Sequence, residues 1–178
     1  MDPTSRPEWH SRGYLPHGRR AKSANRFADS LPAALLEGWR EELRTLLHER
    51  VTIERLDRIE RALDQGHGSA ALARSDVADL VERSLLHFDN ERYRLEAWVI
   101  MPTHVHVLAT PLGAWTLSAI TQGWKSFTAR YANRLLGREG RFWAPDYFDR
   151  AIRDERHFGN ALGYIAMNPC QGWIVRGS

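Results

Sequence analysis

Cysteine and long apolar stretches are nearly absent from the sequence. Cys170 is the single cysteine among 178 residues, so no disulfide can form within the chain, and a reducing compartment suits it. No apolar run approaches the roughly 18–20 residues that a membrane-spanning helix needs. The opening stretch, MDPTSRPEWHSRG, lacks the apolar segment of a signal peptide. These absences argue against a disulfide-stapled secreted domain and a membrane protein, and we expect a cytoplasmic location.

Lysine is also scarce, although the chain is basic. Two lysines, Lys22 and Lys125, accompany 23 arginines, and the net charge is +3 with a pI of about 9.3. Two explanations of the arginine bias stay open: the base composition of the genome, or the fit of guanidinium groups to phosphates and base edges. With 43% hydrophobic and 26% charged residues, the composition predicts one folded domain with its own core.

Apolar spacing divides the chain into a basic arm and a helix-rich domain. Residues 1–29 are rich in Arg, Pro, Gly and Ser without a strong period, so we interpret them as a basic N-terminal arm or an altered first strand. Residues 30–178 form the single domain. Apolar residues at helical spacing predict five helices in it: from Ser30 as the cap, through 53–63, from Ser75, over 116–136 up to Gly137, and from Asp154 to Asn168-Pro169.

Between the third and fourth predicted helices the pattern changes to that of strands. Residues 92–100 alternate, and residues 104–110 are again strand-like after a short turn, so the two segments predict an antiparallel hairpin. A further strand is expected within 142–152. Helices packed on an antiparallel sheet define an α+β fold. Alternation predicts that the apolar residues of the first strand share one face: Tyr93, Leu95, Ala97 and Val99.

His104-Val105-His106 places two histidines two positions apart on the second predicted strand. Side chains alternate along a strand, so both imidazoles point to the same face. Two adjacent imidazoles provide half of a metal site. A plainer interpretation, two histidines on an exposed sheet face, stays open from this motif alone.

The last predicted helix carries a stripe of residues at i, i+4, i+7 and i+11 spacing, which places His157, Ala161, Tyr164 and Asn168 on one side. Tyr164 and Asn168 would present a hydroxyl nucleophile and an amide oxygen to the same site. Alternatively, Tyr164 packs partly in the core with its hydroxyl in water, and Asn168 ends the helix.

The helix over 118–134 combines basic and aromatic residues. Its polar positions include Lys125 and Arg130, beside Trp124 and Phe127. Basic side chains next to aromatic rings are typical of surfaces that bind single-stranded nucleic acid. An ordinary amphipathic helix with a solvated face is the alternative.

As an ordered set, these segments resemble the REP-associated tyrosine transposases, which are domesticated bacterial relatives of the IS200-like transposases. The segment AWVIMPTHVH at 97–106 resembles their HUH segment. The resemblance spans nearly the whole chain in matching order. Further matches are RGYLPH at 12–17, ADSLP at 28–32, WKSFT at 124–128, YFDR at 147–150, IRDERHF at 152–158 and YIAMNP at 164–169.

The resemblance implies a ferredoxin-like α+β fold, with the histidines on a central strand and the tyrosine on a helix that faces them. It implies His104 and His106 as metal ligands and Tyr164 as the catalytic nucleophile, with Asn168 at the position of a third, polar ligand. The metal would be Mg²⁺ or Mn²⁺. The implied reaction cleaves and rejoins single-stranded DNA through a covalent 5′-phosphotyrosine, without a nucleotide cofactor.

The implied substrate is single-stranded DNA folded as an imperfect hairpin, like those of repetitive extragenic palindromes (REP). Basic side chains would bind its phosphates. We expect a monomer, although IS200-type relatives form dimers with shared active sites. The candidate DNA-binding residues are Arg12, Arg19, Arg20, Lys125, Arg130 and Arg153.

The segment 18–26 departs from this family, in which a hydrophobic, β-branched first strand is usual. Here it reads GRRAKSANR, without a β-branched residue, and is a poor match to a buried strand. Either the strand forms against its propensity, or the sheet lacks it. In the second case the chain would be a degenerate protein that binds DNA hairpins without cleaving them. An unrelated metal hydrolase would need a further carboxylate or histidine facing the pair.

Overall fold

The computed structural model describes residues 20–26, 31–45, 54–55, 58–59, 61–62, 70–144, 148–152, 154–167 and 173–175. Its strands are β1 (Ala21–Arg26), β2 (Tyr93–Ile100), β3 (His104–Pro111), β4 (Phe148–Ala151) and β5 (Trp173–Val175). Its helices are α1 (Ala33–Glu42), α2 (Ser75–Leu86), α3 (Leu117–Leu136) and α4 (Glu155–Met167), with 3₁₀ turns at Leu43–Thr45 and Ala71–Ala73. The described positions between 54 and 62 are helical as well, within the second helix that the sequence predicts.

The described strands form one antiparallel sheet in the order β4-β1-β3-β2-β5. α2 lies between β1 and β2 along the chain, and α3 lies between β3 and β4. The first four strands and these two helices therefore follow the βαββαβ order of a ferredoxin-like fold. α4 and β5 come afterwards, and β5 pairs with β2 at the edge. The predicted ferredoxin-like α+β fold is confirmed.

β1 lies in the middle of the sheet, between β3 and β4, although its sequence contains no β-branched residue. Backbone pairing on both sides overrides its weak propensity. The strand alternates small and basic side chains: Ala21 and Ser23 are buried on one face, while Lys22 and Arg26 lie on the other. The strand thus forms against its propensity, and residues 21–26 belong to the sheet rather than to a separate arm. Residues 1–19 lie outside the described part of the chain.

β2 and β3 form the predicted hairpin, but β2 does not keep one apolar face. Its pairing with β3 shifts between Leu95 and Ala97, so a β-bulge interrupts the strand at Glu96. Before the bulge, Tyr93 and Leu95 join the core beneath α2 and α3. After it, Ala97 and Val99 join the core on the opposite face. The prediction that all four share a face was wrong, because one inserted residue reverses the alternation.

The larger core lies between the sheet and the layer of α2 and α3. Buried aromatic side chains satisfy their polar atoms there. The Tyr93 hydroxyl donates to the Leu85 carbonyl at 2.7 Å and accepts from Trp124 Nε1 at 2.9 Å. Trp143 Nε1 donates to Thr128 Oγ1 at 2.8 Å. The first set of bonds links α3 to β2 and α2, and the last bond links α3 to the segment after it, so these buried groups are paired.

α4 packs on the opposite face of the sheet, where Ala161 and Ile165 contact Val99 and Leu108. The helix begins as predicted, because Asp154 Oδ1 accepts a hydrogen bond from the backbone N–H of His157 at 2.7 Å and caps the first turn.

The ends of two other helices test the predicted boundaries. α3 ends at Leu136, and Gly137 follows with φ of 61°, the left-handed conformation that glycine adopts readily. α1 begins at Ala33 after Pro32, and no side chain caps it, whereas the predicted cap Ser30 lies outside the described residues. Within the described ranges, no helix combines the length and apolar character needed to cross a membrane.

Candidate active site on the histidine face

The histidine pair lies on β3, near the middle of the sheet. His104 and His106 point to the face that α4 covers, which we call the histidine face, while Val105 and Val107 point into the larger core. Both imidazoles are fully buried. The interpretation of two exposed histidines on a sheet therefore does not hold.

The two imidazoles approach each other through their Nε2 atoms, which lie 3.0 Å apart. On the far side of the first ring, Thr103 Oγ1 lies 2.8 Å from His104 Nδ1. If that hydroxyl accepts from Nδ1–H, the Nε2 atom of His104 that faces His106 carries a lone pair.

Burial keeps His106 in its neutral form. Desolvation lowers the pKa of His106 well below its ordinary value of 6.5, and the electrostatic influence of His104 and Lys22 lowers it further. Its Nδ1 atom has no hydrogen-bond partner among the described residues. A neutral imidazole is the form that ligates a metal ion, because a protonated ring has no lone pair to offer.

α4 carries Tyr164 onto the histidine face. The ring centroid of Tyr164 lies 5.2 Å from that of His106, and the two rings are perpendicular. Ala161 and Ile165 flank Tyr164 along the helix and are buried against the sheet, which fixes the side that α4 presents. Tyr164 itself is partly exposed, so its ring bridges the buried histidines and the surface.

Lys22 is a further component of this site, and none of the sequence motifs includes it. It lies on β1 opposite Leu108 and therefore faces the histidine side of the sheet. Its Nζ atom lies 3.8 Å from the ring centroid of Tyr164, and the side chain is only 8% exposed. A signal for it existed in the sequence, since basic residues at positions 20, 22 and 26 share the two-residue period of a strand.

The donor set of the histidine pair fits a divalent ion. Two ligands about 2.1 Å from an octahedral ion and at right angles to each other lie about 3 Å apart, which agrees with the separation of the two Nε2 atoms. A hydrogen bond between the two rings has the same length, so this distance suits both the metal-bound and the metal-free pair. Within the described ranges, no group of three or more His, Cys, Asp or Glu side chains gathers around a metal position. Asn168, the third ligand that the resemblance implies, lies outside those ranges.

The predicted DNA-binding residues fall on both sides of the sheet. Arg20 lies beside α4, where its guanidinium group stacks 4.1 Å over Phe158 and pairs with Glu155 at 2.8 Å. Lys125 and Arg130 lie on α3, on the opposite face, so the structure does not bring them to the histidine pair. The others lie outside the described residues: Arg12, Arg19 and Arg153.

Comparison with known proteins identifies one curated relative and a solved structure of the same kind. No family model matches the chain. The REP-associated tyrosine transposase of Escherichia coli (strain K12) is 25% identical over 87 residues, which cover 46% of this chain and 48% of the relative. The match thus spans about half of that relative's length. The structure of a REP-associated tyrosine transposase bound to a REP hairpin superposes with a TM-score of 0.55 at 16% identity, over 91% of this chain and 73% of that one.

The two comparisons bear on different predictions. The sequence match confirms the resemblance to REP-associated tyrosine transposases. The structural match confirms the fold of the chain, since its sequence identity is too low to carry residue roles.

Proposed function

We propose that the chain is a metal-dependent, single-stranded DNA nuclease and transposase that uses Tyr164 as its nucleophile. The position of Tyr164 carries this proposal, because α4 brings its ring to 5.2 Å from the ring of a buried, neutral His106. Taken separately, the tyrosine and the buried histidine pair could each serve only to pack α4 against the sheet. Together on one face of the sheet, they provide the nucleophile and the ligands that cleavage of a phosphodiester needs.

The proposed step is a transesterification at phosphorus. Tyr164 Oη attacks the phosphorus atom and forms a new P–O bond, while the bond between phosphorus and the 3′-oxygen breaks. The phenol gives up its proton, and the departing 3′-oxygen takes one up. The products are a 5′-phosphotyrosine and a free 3′-hydroxyl. Attack by a 3′-hydroxyl on the phosphotyrosine reverses the step, so rejoining consumes no ATP.

His104 and His106 would hold Mg²⁺ or Mn²⁺ through their Nε2 atoms, with Thr103 fixing the first ring. The bound ion supplies positive charge that polarises the scissile phosphate. Mg²⁺ prefers oxygen ligands and binds imidazole poorly. We therefore expect stronger activity with Mn²⁺, and Asn168 remains the proposed third ligand.

Single-stranded DNA with REP-like hairpins is the proposed substrate. The names of the relative and of the solved structure support it, since the second is bound to a REP hairpin. Binding should weaken as salt rises, because basic side chains such as Arg20 would displace counterions from the phosphates. We expect the protein to act as a monomer in the cytoplasm.

A degenerate protein that binds hairpins without cleaving them is the alternative. Its physical basis was a missing first strand, which would open the sheet. β1 pairs with both β3 and β4, so that basis no longer applies. The close approach of Tyr164 to His106 also favours the active nuclease.

The test is a cleavage assay on single-stranded oligonucleotides that carry REP-like hairpins from the source genome. Wild-type protein with Mn²⁺ should form a covalent protein–DNA adduct on a denaturing gel, and a chelator should prevent it. Tyr164→Phe should abolish the adduct, whereas Tyr131→Phe, a change at an exposed tyrosine of α3, should keep it. Hairpin binding without an adduct would favour the degenerate protein, and no binding at all would contradict both.

A further inference from the structure

Lys22 occupies an unusual position for a lysine. It lies on a central strand, its side chain is more than nine-tenths buried, and its ammonium group lies over the face of the Tyr164 ring. The ring also meets His106. The amine is therefore held beside both the proposed nucleophile and a proposed metal ligand.

Burying an ammonium group requires desolvation, which costs free energy. A methionine of similar length would fill the same space without a charge. A buried charge that an apolar residue could replace points to a role in function rather than in folding.

The choice of lysine over arginine is also informative. The chain uses arginine at 23 of its 25 basic positions, yet lysine occurs here. An ammonium group is a compact point charge on a flexible stem, whereas a guanidinium group is a broad planar fork. The compact group leaves more room beside the aromatic ring for a substrate phosphate.

We propose that Lys22 is a phosphate-binding residue of the active site, whose ammonium group contacts a non-bridging oxygen of the phosphodiester that Tyr164 attacks. The inference rests on the proposed nuclease function and adds a catalytic residue to it. A phosphodiester is anionic, and it gains negative charge on its equatorial oxygens as the phenol attacks. A fixed cation in a site of low dielectric constant stabilises that charge more strongly than water does.

Substitution of Lys22 separates this role from a purely structural one. Lys22→Met fills the same space without the charge, and urea unfolding checks that the variant stays folded. Its single-turnover rate of adduct formation at saturating DNA should nevertheless fall by about 10²–10³-fold, the usual loss for one group that stabilises a transition state. Lys22→Arg keeps the charge and should recover part of the rate. Arg83→Met is the matched control, since it removes one positive charge from α2 on the other side of the sheet.

The two lysines of the chain allow a direct measurement on the unmodified protein. Selective ¹³C-lysine labelling should give two resolved εCH₂ signals, assigned by the loss of one in Lys22→Arg. The Lys22 signal should lie upfield, because the protons sit over an aromatic ring. Tyr164→Phe should preserve that shift and Tyr164→Leu should remove it.

Addition of a REP-like hairpin oligonucleotide to the labelled Tyr164→Phe protein should then move the Lys22 signal. If DNA saturates the protein, as followed by fluorescence anisotropy, while the Lys22 signal stays in place, the inference is wrong. It is also wrong if Lys22→Met cleaves as fast as the wild type. Absence of both cleavage and DNA binding by the wild type would overturn the nuclease proposal and this inference together. Normal wild-type cleavage with an unresponsive Lys22 would overturn this inference alone.

Discussion

The contact between Thr103 and His104 should control both folding stability and metal binding. Both residues are buried, and Thr103 Oγ1 lies 2.8 Å from His104 Nδ1. Thr103→Val replaces the hydroxyl by a methyl group of similar volume and removes the hydrogen bond between that hydroxyl and a buried imidazole nitrogen. Such a loss costs about 1–3 kcal/mol of the free energy of unfolding. Loss of a hydrogen-bond partner of a metal-ligating histidine should lower Mn²⁺ affinity about 10–100-fold.

The chain offers a matched control for this change. Thr121 is equally buried, but it lies on α3, and its hydroxyl has no hydrogen-bond partner among the described residues. Thr121→Val should therefore leave the free energy of unfolding unchanged or raise it, and Mn²⁺ affinity should stay the same. Urea unfolding and calorimetric titration with Mn²⁺ measure the two quantities. Equal losses of stability in both variants, or wild-type Mn²⁺ affinity in Thr103→Val, would refute the reasoning.

Three further predictions concern stability. Tyr93→Phe removes the hydroxyl that links Leu85 to Trp124. The free energy of unfolding should therefore fall by about 1–3 kcal/mol at an unchanged denaturant slope. An unchanged midpoint of urea unfolding would contradict a stabilising role of this hydroxyl. Asp154→Ala removes the cap of α4 and should cost about 1 kcal/mol, whereas Asp154→Asn should cost less, as thermal unfolding of the two variants would reveal. The pKa of His106 is lowered in the folded chain, so below its ordinary value of 6.5 the unfolded chain binds more protons than the folded one. Stability in metal-free buffer should therefore decrease as the pH falls through this window, and His106→Gln should flatten the curve if the assignment is right.

The sequence predicts the fold class and most element boundaries, because apolar spacing and residues that begin or end helices, such as Asp154 and Gly137, act locally. The prediction from sequence fails where tertiary contacts determine the local structure. β1 forms without a β-branched residue since two neighbouring strands pair with its backbone. The bulge at Glu96 reverses the faces of β2, and no residue near it signals the extra position in advance.

For the candidate site, the sequence predicts the residues that belong to a motif. It misses Lys22, which only its position in the fold identifies. Tyr164 is far along the chain from His104 and His106, yet the motifs single out all three and α4 brings the tyrosine to the pair. Lys22 belongs to no motif, and although its spacing from Arg20 and Arg26 indicates a strand, the register of β1 against β3 is needed to place it on the histidine face. Amphipathic spacing on α3 identified Arg130 correctly as a surface position, but it cannot tell which face of the sheet the helix covers.

The claim that Tyr164 forms the covalent bond to DNA is central to this account. Mass spectrometry tests it most directly, after the adduct with a hairpin oligonucleotide is digested with trypsin and a nuclease. Cleavage after Arg156 and Arg176 releases the peptide HFGNALGYIAMNPCQGWIVR, in which Tyr164 is the single tyrosine. The account predicts a residual nucleotide on this peptide, localised to Tyr164 by fragmentation. A nucleotide on another peptide, or on a different residue of this one, would contradict the account.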